Sequence, residues 1–381
     1  MENRKLKIAW ISDFDPIGSG YQNISTTLCE GLVGLGHEVK AIGLHYNGQE
    51  HDFPFSIIPT MGLKEAVVIL LNLKNLWAFD VVIVALDIHI QDLVLEAIQQ
   101  FKDFLYVGIM PIEADPLCVS WSMILLQMDL PLIISEFGTE EAHKANVLSA
   151  KHIPLGVDEL WSPITVEEKK KYRTGLFGDV DDDTFIILTV ADNQERKNLA
   201  TGLEIYAEFA KEYPNSRYVL VTREQNSVGW RLRDLIFEFG IQNNVILMER
   251  GMPKENLRQV YGASDCFFLP SKAEGLGLPL MEAMGMGLPC VATNCTGMRE
   301  LLENNRGMLV DYEYQHRDPF GNGFRYWINK NFAQIYLGRL VNKEQIPDTE
   351  AAQKYIRERT WEKTVLFLDE ELMELVRNNG R

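Results

Sequence analysis

The 381-residue chain is too long for one ordinary hydrophobic core, so two domains are the expectation. Its 46% hydrophobic and 24% charged residues describe a soluble globular protein, and a formal charge of −17 opposes loose binding to bulk nucleic acid or anionic lipid. The five cysteines (Cys29, Cys118, Cys266, Cys290, Cys295) form no CxxC pair and are odd in number, which speaks against a disulfide framework and a structural zinc site and fits reduced thiols in a cytoplasm.

The opening "MENRKLKIAWISDFD" turns acidic after one short apolar segment, unlike a secretory leader. "LKIAWISDF" (6–14) reads as a strand, followed by a helix in "GYQNISTTLCEGLVGLGHE" (20–38) with Ile24, Leu28, Leu32 and Leu35 on one stripe. The most apolar region, 66–86, is broken by Asn72, Lys74, Asn75 and Asp80. It is therefore no uninterrupted membrane span and reads as a buried helix followed by a buried strand, with a helix on a membrane surface as the alternative. Further strands are expected at "EVKAIGLHY", "DVVIVALD", "FLYVGIMPI" and "PLIISEF", which completes one doubly wound unit.

"KHIPLGVDELWSP" (151–163) interrupts the pattern with Pro and Gly, and the alternation restarts at "TFIILTVAD". It continues through "RYVLVTRE", "NVILMER", "DCFFLPS", "PCVATN" and "GMLVDY". The expected organisation is α/β, with Rossmann-like parallel-sheet domains at 1–158 and 159–345. Helices at 346–381 pack on their own domain or cross back to the first.

The densest signal is "EGLGLPLMEAMGMGLP" (274–289). Pro279 is pre-set for a first helical turn, so a helix should begin near it, with Glu282 in that turn and Gly285 and Gly287 as its stop. Gly275, Leu276 and Gly277 precede the helix, where unpaired amides and the dipole's positive end suit an anion and missing side chains let a phosphate approach. Glu274 would repel phosphate and suits sugar hydroxyls, and Glu282 suits a ribose diol. A phosphate between two hydroxyl-rich groups describes a nucleotide sugar. From spacing alone, the cluster equally fits a glycine turn with one solvated and one dipole-complementing glutamate.

"PSKAEGLGLPLMEAMGMGLPCVATNCTGMREL" (270–301) resembles the Glu-x7-Glu segment of the family-four retaining glycosyltransferases, whose GT-B fold has two Rossmann-like domains facing a cleft. Weaker likeness runs through "GSGYQN", "IPLGVD", "NQERKN" and "LRQVYGASDCFFLPS". The resemblance implies sugar transfer from a nucleotide diphosphate donor to an acceptor hydroxyl, with retained configuration and no metal. It implies that Glu274 contacts the transferred sugar, Glu282 the ribose, and the Gly277 and Leu278 amides the diphosphate. Lys197 matches the family's diphosphate-binding lysine, whereas six positions earlier, where arginine is usual, stands Ala191. Arg196 adjoins Lys197 but would point elsewhere on a helix start.

The resemblance makes Gly18, Ser19 and Gly20 a loop closing over donor phosphate. Near the reacting sugar it offers Glu113 or Asp115 in "GIMPIEAD", where many relatives carry histidine. Ala191 motivates one rival, a sugar-nucleotide-binding protein with little transferase activity; another is a GT-B epimerase or phosphorylase. The Asp-x-Asp in "DVDDD" (179–183) reads as a solvated turn, and the seven histidines show no zinc-binding spacing.

Overall fold

The computed structural model describes residues 4–15, 20–100, 103–178, 180–225 and 229–380. The chain forms two compact units, Met1–Gly156 with Arg359–Arg381, and Val157–Glu358.

The first unit runs β1 (Lys7–Asp13), α1 (Gly20–Gly34), β2 (Glu38–Leu44), β3 (Ser56–Thr60), α2 (Leu63–Trp77), β4 (Val81–Ala85), α3 (Ile88–Ile98), β5 (Leu105–Met110), α4 (Val119–Leu125), β6 (Leu130–Ile133), α5 (Glu136–Lys144) and β7 (Lys151–His152). Its seven-stranded sheet has the order β3-β2-β1-β4-β5-β6-β7, and every neighbouring pair is parallel. Central strands carry continuous apolar runs because helices cover both faces, and all five residues of β4 are buried. β3 escapes the sequence pattern because "SIIPT" is short and contains Pro59, which fits its place at the sheet edge. In α1, Ile24, Leu28 and Leu32 are buried as expected, but Leu35 lies beyond the helix end and is 42% exposed. α2 is only half a core helix: Ala66, Leu70 and Leu73 are buried, whereas Val68 and Leu76 face outward. Among the described residues, no helix is long and apolar enough to cross a membrane.

The second unit runs α6 (Val166–Phe177), β8 (Phe185–Val190), a 3-10 turn (Glu195–Lys197), α7 (Leu199–Glu212), β9 (Ser216–Thr222), α8 (Leu232–Glu238), β10 (Val245–Glu249), α9 (Lys254–Ala263), β11 (Cys266–Leu269), α10 (Leu278–Gly285), β12 (Cys290–Thr293), α11 (Thr296–Leu302), β13 (Met308–Val310), β14 (Tyr312–Arg317), β15 (Phe324–Ile328), α12 (Lys330–Val341) and α13 (Thr349–Arg357). Its parallel six-stranded sheet has the order β10-β9-β8-β11-β12-β13. The antiparallel hairpin β14–β15 was hidden in the sequence because the β14 segment "YEYQHR" is polar, and all six of its residues are exposed.

The last helix, α14 (Trp361–Asn378), belongs to the first unit. It lies so close to α1 that a Cβ on Gly31 would stand 2.3 Å from Val365 Cγ2. His37 Nε2 meets Asp369 at 2.7 Å, Lys151 pairs with Glu371 at 2.6 Å, and the Thr364 hydroxyl donates to the Pro154 carbonyl. A Cβ on Gly156 would come within 2.2 Å of the Trp361 backbone nitrogen, so glycine is required where the chain returns.

Candidate active site in the second unit

In the second sheet, β8 pairs with β9 on one side and with β11 on the other, so successive connections diverge at the β8/β11 boundary. In doubly wound sheets ligands lie outside the carboxyl ends of the strands at such a point, because diverging loops leave a crevice there. The segments leaving these strands are 191–198 and 270–278. Asn198 adopts the left-handed conformation at φ 56°, ends the 3-10 turn, and donates from Nδ2 to the Pro270 carbonyl at 3.1 Å. The Lys272 amide donates to the Arg196 carbonyl at 2.9 Å, joining the two segments directly.

Their meeting point is Glu274, only 4% exposed. Lys197 Nζ lies 2.7 Å from both carboxylate oxygens, Arg196 Nη1 donates to Oε2 at 2.9 Å, and the Ser271 hydroxyl donates to Oε1 at 2.6 Å. The main chain is equally fixed, with the Glu274 amide donating to Thr296 Oγ1 and its carbonyl accepting from the Gly297 amide. Burial alone would raise the Glu274 carboxyl, but the Lys197 and Arg196 charges overcome it and bring it down to about 2. Gly297 is there because α11 backs the loop at close range: a Cβ would stand 2.5 Å from the Gly275 carbonyl.

Arg196 and Lys197 thus reach the same carboxylate, against the expectation that Arg196 would point elsewhere: consecutive side chains of a 3-10 turn diverge, and it is their length that lets both converge on Glu274. Ala191 lies buried just beyond β8. Beside it is a cluster that the sequence did not reveal. Asp192 accepts from Arg223 Nε at 2.8 Å and stands 3.3 Å from Arg250 Nη1. Burial works against ionisation of Asp192, yet the two arginines hold its carboxyl below the usual range. Arg223 follows β9 and Arg250 follows β10, a placement after strand ends that could have flagged them.

Gly277 caps α10 at φ 107°, and α10 begins at Leu278. Among the described residues, the amides of Gly275, Leu276, Gly277 and Leu278 donate no hydrogen bond, so donors collect at the positive end of the helix. Gly275 and Leu276 are buried, while Gly277 and Leu278 are partly open. Because the helix opens one residue before Pro279, Glu282 falls in its second turn, beyond the dipole-complementing position expected for it. Glu282 is half-buried and accepts from the Tyr261 hydroxyl at 2.8 Å. Burial raises its carboxyl to about 7, against the lowering pull of Tyr261 and Lys254.

In the first unit, Gly20 opens α1, whereas Gly18 and Ser19 lie outside the described residues. Glu113 and Asp115 follow β5 and are half-buried, and the Asp115–Pro116 peptide is cis. At this sheet's own switch point, the Tyr21 hydroxyl donates to Asp87 at 2.6 Å. Asp182 of the discounted acidic run is exposed and paired with Lys170. Among the described residues no group of His, Cys, Asp and Glu is arranged to hold a metal ion.

Residues 177–334 match the family of Glycosyl transferases group 1. The chain is 29% identical over 197 residues to an uncharacterized glycosyltransferase of Methanocaldococcus jannaschii, covering 51% of this chain and 44% of that one. It is 31% identical over 128 residues to O-antigen chain mannosyltransferase B of Escherichia coli, covering 32% of each chain. The alignments therefore span less than half the length of either curated relative. Sucrose-phosphate synthase of Thermosynechococcus elongatus superposes with a TM-score of 0.75 at 19% identity, over 98% of this chain and 100% of that one. HepE of Anabaena, solved in complex with UDP and glucose, superposes with a TM-score of 0.72 at 16% identity, over 97% and 100%. The fold is GT-B.

Proposed function

We propose that the chain is a retaining glycosyltransferase that moves a hexose or related sugar from a nucleoside diphosphate sugar to an acceptor hydroxyl, with no metal ion and no other cofactor. The observation that carries this is the juxtaposition at one switch point of a buried, ionised glutamate, two cations and four bare amides. A diphosphate takes the amides of Gly275, Leu276, Gly277 and Leu278 together with Arg196 and Lys197. Glu274 turns to the sugar hydroxyls, and Glu282 accepts from the ribose diol.

Charge grows on the departing diphosphate as the glycosidic bond breaks. Lys197, Arg196 and the helix dipole are already oriented toward anionic charge, so their stabilisation requires little reorganisation. Lys197 now spans the Glu274 carboxylate, and an arriving diphosphate competes for the same ammonium. That exchange frees carboxylate oxygens for the sugar. The acceptor approaches the face the diphosphate leaves, and its proton passes to the departing oxygen, so no separate base is needed.

The test is incubation of the purified chain with UDP-glucose, GDP-mannose and ADP-glucose and a panel of hydroxylated acceptors. Free nucleotide and glycoside are measured, and the anomeric configuration is read by proton NMR. A product with the donor's configuration is expected. Tight nucleotide binding without transfer or hydrolysis would favour the binding protein, and an inverted product would refute retention.

A further inference from the structure

The loop that presents Glu274 also contains a cation that the proposed chemistry leaves unused. Lys272, two residues earlier in "PSKAEG", is 2% exposed. A buried ammonium is costly unless it is paired. Lys272 Nζ pairs with the Glu195 carboxylate and lies 3.8 Å from the centroid of the Trp327 ring. Trp327 is held in turn by Tyr314, stacked across the β14–β15 hairpin at 5.1 Å and 18°. Burial pulls the Lys272 ammonium below its usual pKa, against the opposing pull of Glu195.

The main chain of Lys272 joins the same pieces. Its amide donates to the Arg196 carbonyl at 2.9 Å, and its carbonyl accepts from the Tyr326 amide at 3.0 Å. One residue therefore ties together the turn after β8, the loop after β11 and strand β15. Glu195 opens the three-residue turn whose next two members, Arg196 and Lys197, grip Glu274. In a 3-10 turn consecutive side chains point about 120° apart. Anchoring the first thus sets the directions of the other two. Within the turn, the Lys197 amide donates to the Gln194 carbonyl and the Asn198 amide to the Glu195 carbonyl.

We propose that Lys272 and Glu195 are positioning residues, whose ion pair beneath Trp327 fixes the turn that aims Arg196 and Lys197 at Glu274 and at the donor diphosphate. This rests on the transferase function proposed above. Neither residue touches substrate. They act by holding two cations where charge develops, and small misplacements of such groups cost rate more than affinity.

The experiment compares the full chain with Lys272→Met, Lys272→Arg, Glu195→Gln and the double variant Lys272→Met/Glu195→Gln, using UDP-glucose, GDP-mannose and ADP-glucose as donors. Lys272→Met and Glu195→Gln should each lower kcat about tenfold with a smaller change in KM, and Lys272→Arg should recover part of the loss. The double variant should be no slower than the worse single one, because both remove one interaction. A thermal-shift change with kcat untouched, or losses that multiply, overturns the assignment. Should Lys272→Met fail to fold, Glu195→Gln decides, since that side chain is 54% exposed and its loss leaves the core intact. A parent chain inactive toward all three donors overturns the transferase proposal and this one with it. An active parent matched by Glu195→Gln overturns this one alone.

Discussion

Glu274 and Glu282 stand eight positions apart in one glycine-rich stretch, yet their environments drive them in opposite directions. Both lose water on folding, which by itself disfavours the anion. Glu274 meets Lys197 and Arg196, delivered by a turn that leaves a different strand, and its carboxyl falls to about 2. Glu282 meets a tyrosine hydroxyl, whose hydrogen bond does not offset burial, and its carboxyl rises to about 7. The first is a fixed anion at neutral pH and the second lies near its titration midpoint. Charge state here is set by what the tertiary fold brings to each carboxylate, so two identical residues in one motif differ in charge.

The sharpest way to break this contrast is to remove the fixed anion. Glu274→Ala leaves Lys197 and Arg196 facing each other without a counter-charge, and it should cost about 3 kcal/mol in urea unfolding. Transfer should fall at least about a hundredfold while UDP binding persists, because the cations and amides remain. Activity equal to the parent would remove Glu274 from the sugar. The sign of the pH effect is also fixed. The folded carboxyl lies below its unfolded value, so the pair's contribution is present above the usual carboxylate range and is lost as pH falls toward 2. Glu274→Gln should flatten that acid limb. Next in size, Lys197→Ala should lower kcat about a hundredfold and weaken UDP binding, leaving Arg196 as a partial counter-ion. It should also move acid unfolding to higher pH. An unchanged acid limb would mean that Lys197 does not govern Glu274.

Much of this arrangement was legible in the amino-acid order, and the remainder has physical reasons for being hidden. Apolar runs such as "DCFFLPS" located all six parallel strands of the second sheet, because strands covered on both faces must be apolar throughout. β3 and the hairpin β14–β15 did not show, one carrying a proline and the other an exposed polar strand. The glycines mark the helix tip and the helix begins near Pro279 as expected, but its opening at Leu278 moves Glu282 out of the first turn. The direction of Arg196 is hidden because its partner Glu274 comes from the loop after β11, far away in sequence. Lys272 carries no signal in the sequence because its partners, Glu195 and Trp327, are distant along the chain and meet it only through the fold.

A smaller effect sharpens the other side of the comparison. With its folded carboxyl raised to about 7, Glu282 binds its proton more tightly in the native than in the unfolded chain. Its contribution to stability is complete below the unfolded value and is lost as pH rises through about 7. The parent should lose thermal stability between about pH 5 and 8, and Glu282→Gln should lose less over the same window. UDP affinity of Glu282→Gln should fall about tenfold, the loss of one charge-assisted hydrogen bond to the ribose. Identical pH profiles for parent and variant would assign the titration to another group.

The smallest change lies between the two glutamates. Gly277 holds φ at 107°, where a side chain is strained, although a Cβ would meet nothing nearer than Leu280 Cβ at 3.6 Å. Gly277→Ala therefore isolates backbone strain from steric clash and should cost about 1 kcal/mol in urea unfolding. If the tip holds its shape, the amides of Gly277 and Leu278 remain in place and UDP binding changes little. If the tip relaxes to relieve φ, α10 rotates at its first turn, and UDP affinity falls while the Lys197–Glu274 pair, anchored by Ser271 and Thr296, stays intact. Lost UDP affinity with an unchanged acid limb would thus separate the helix tip from the glutamate site beside it. Loss of both together would show that the two behave as one cooperative unit.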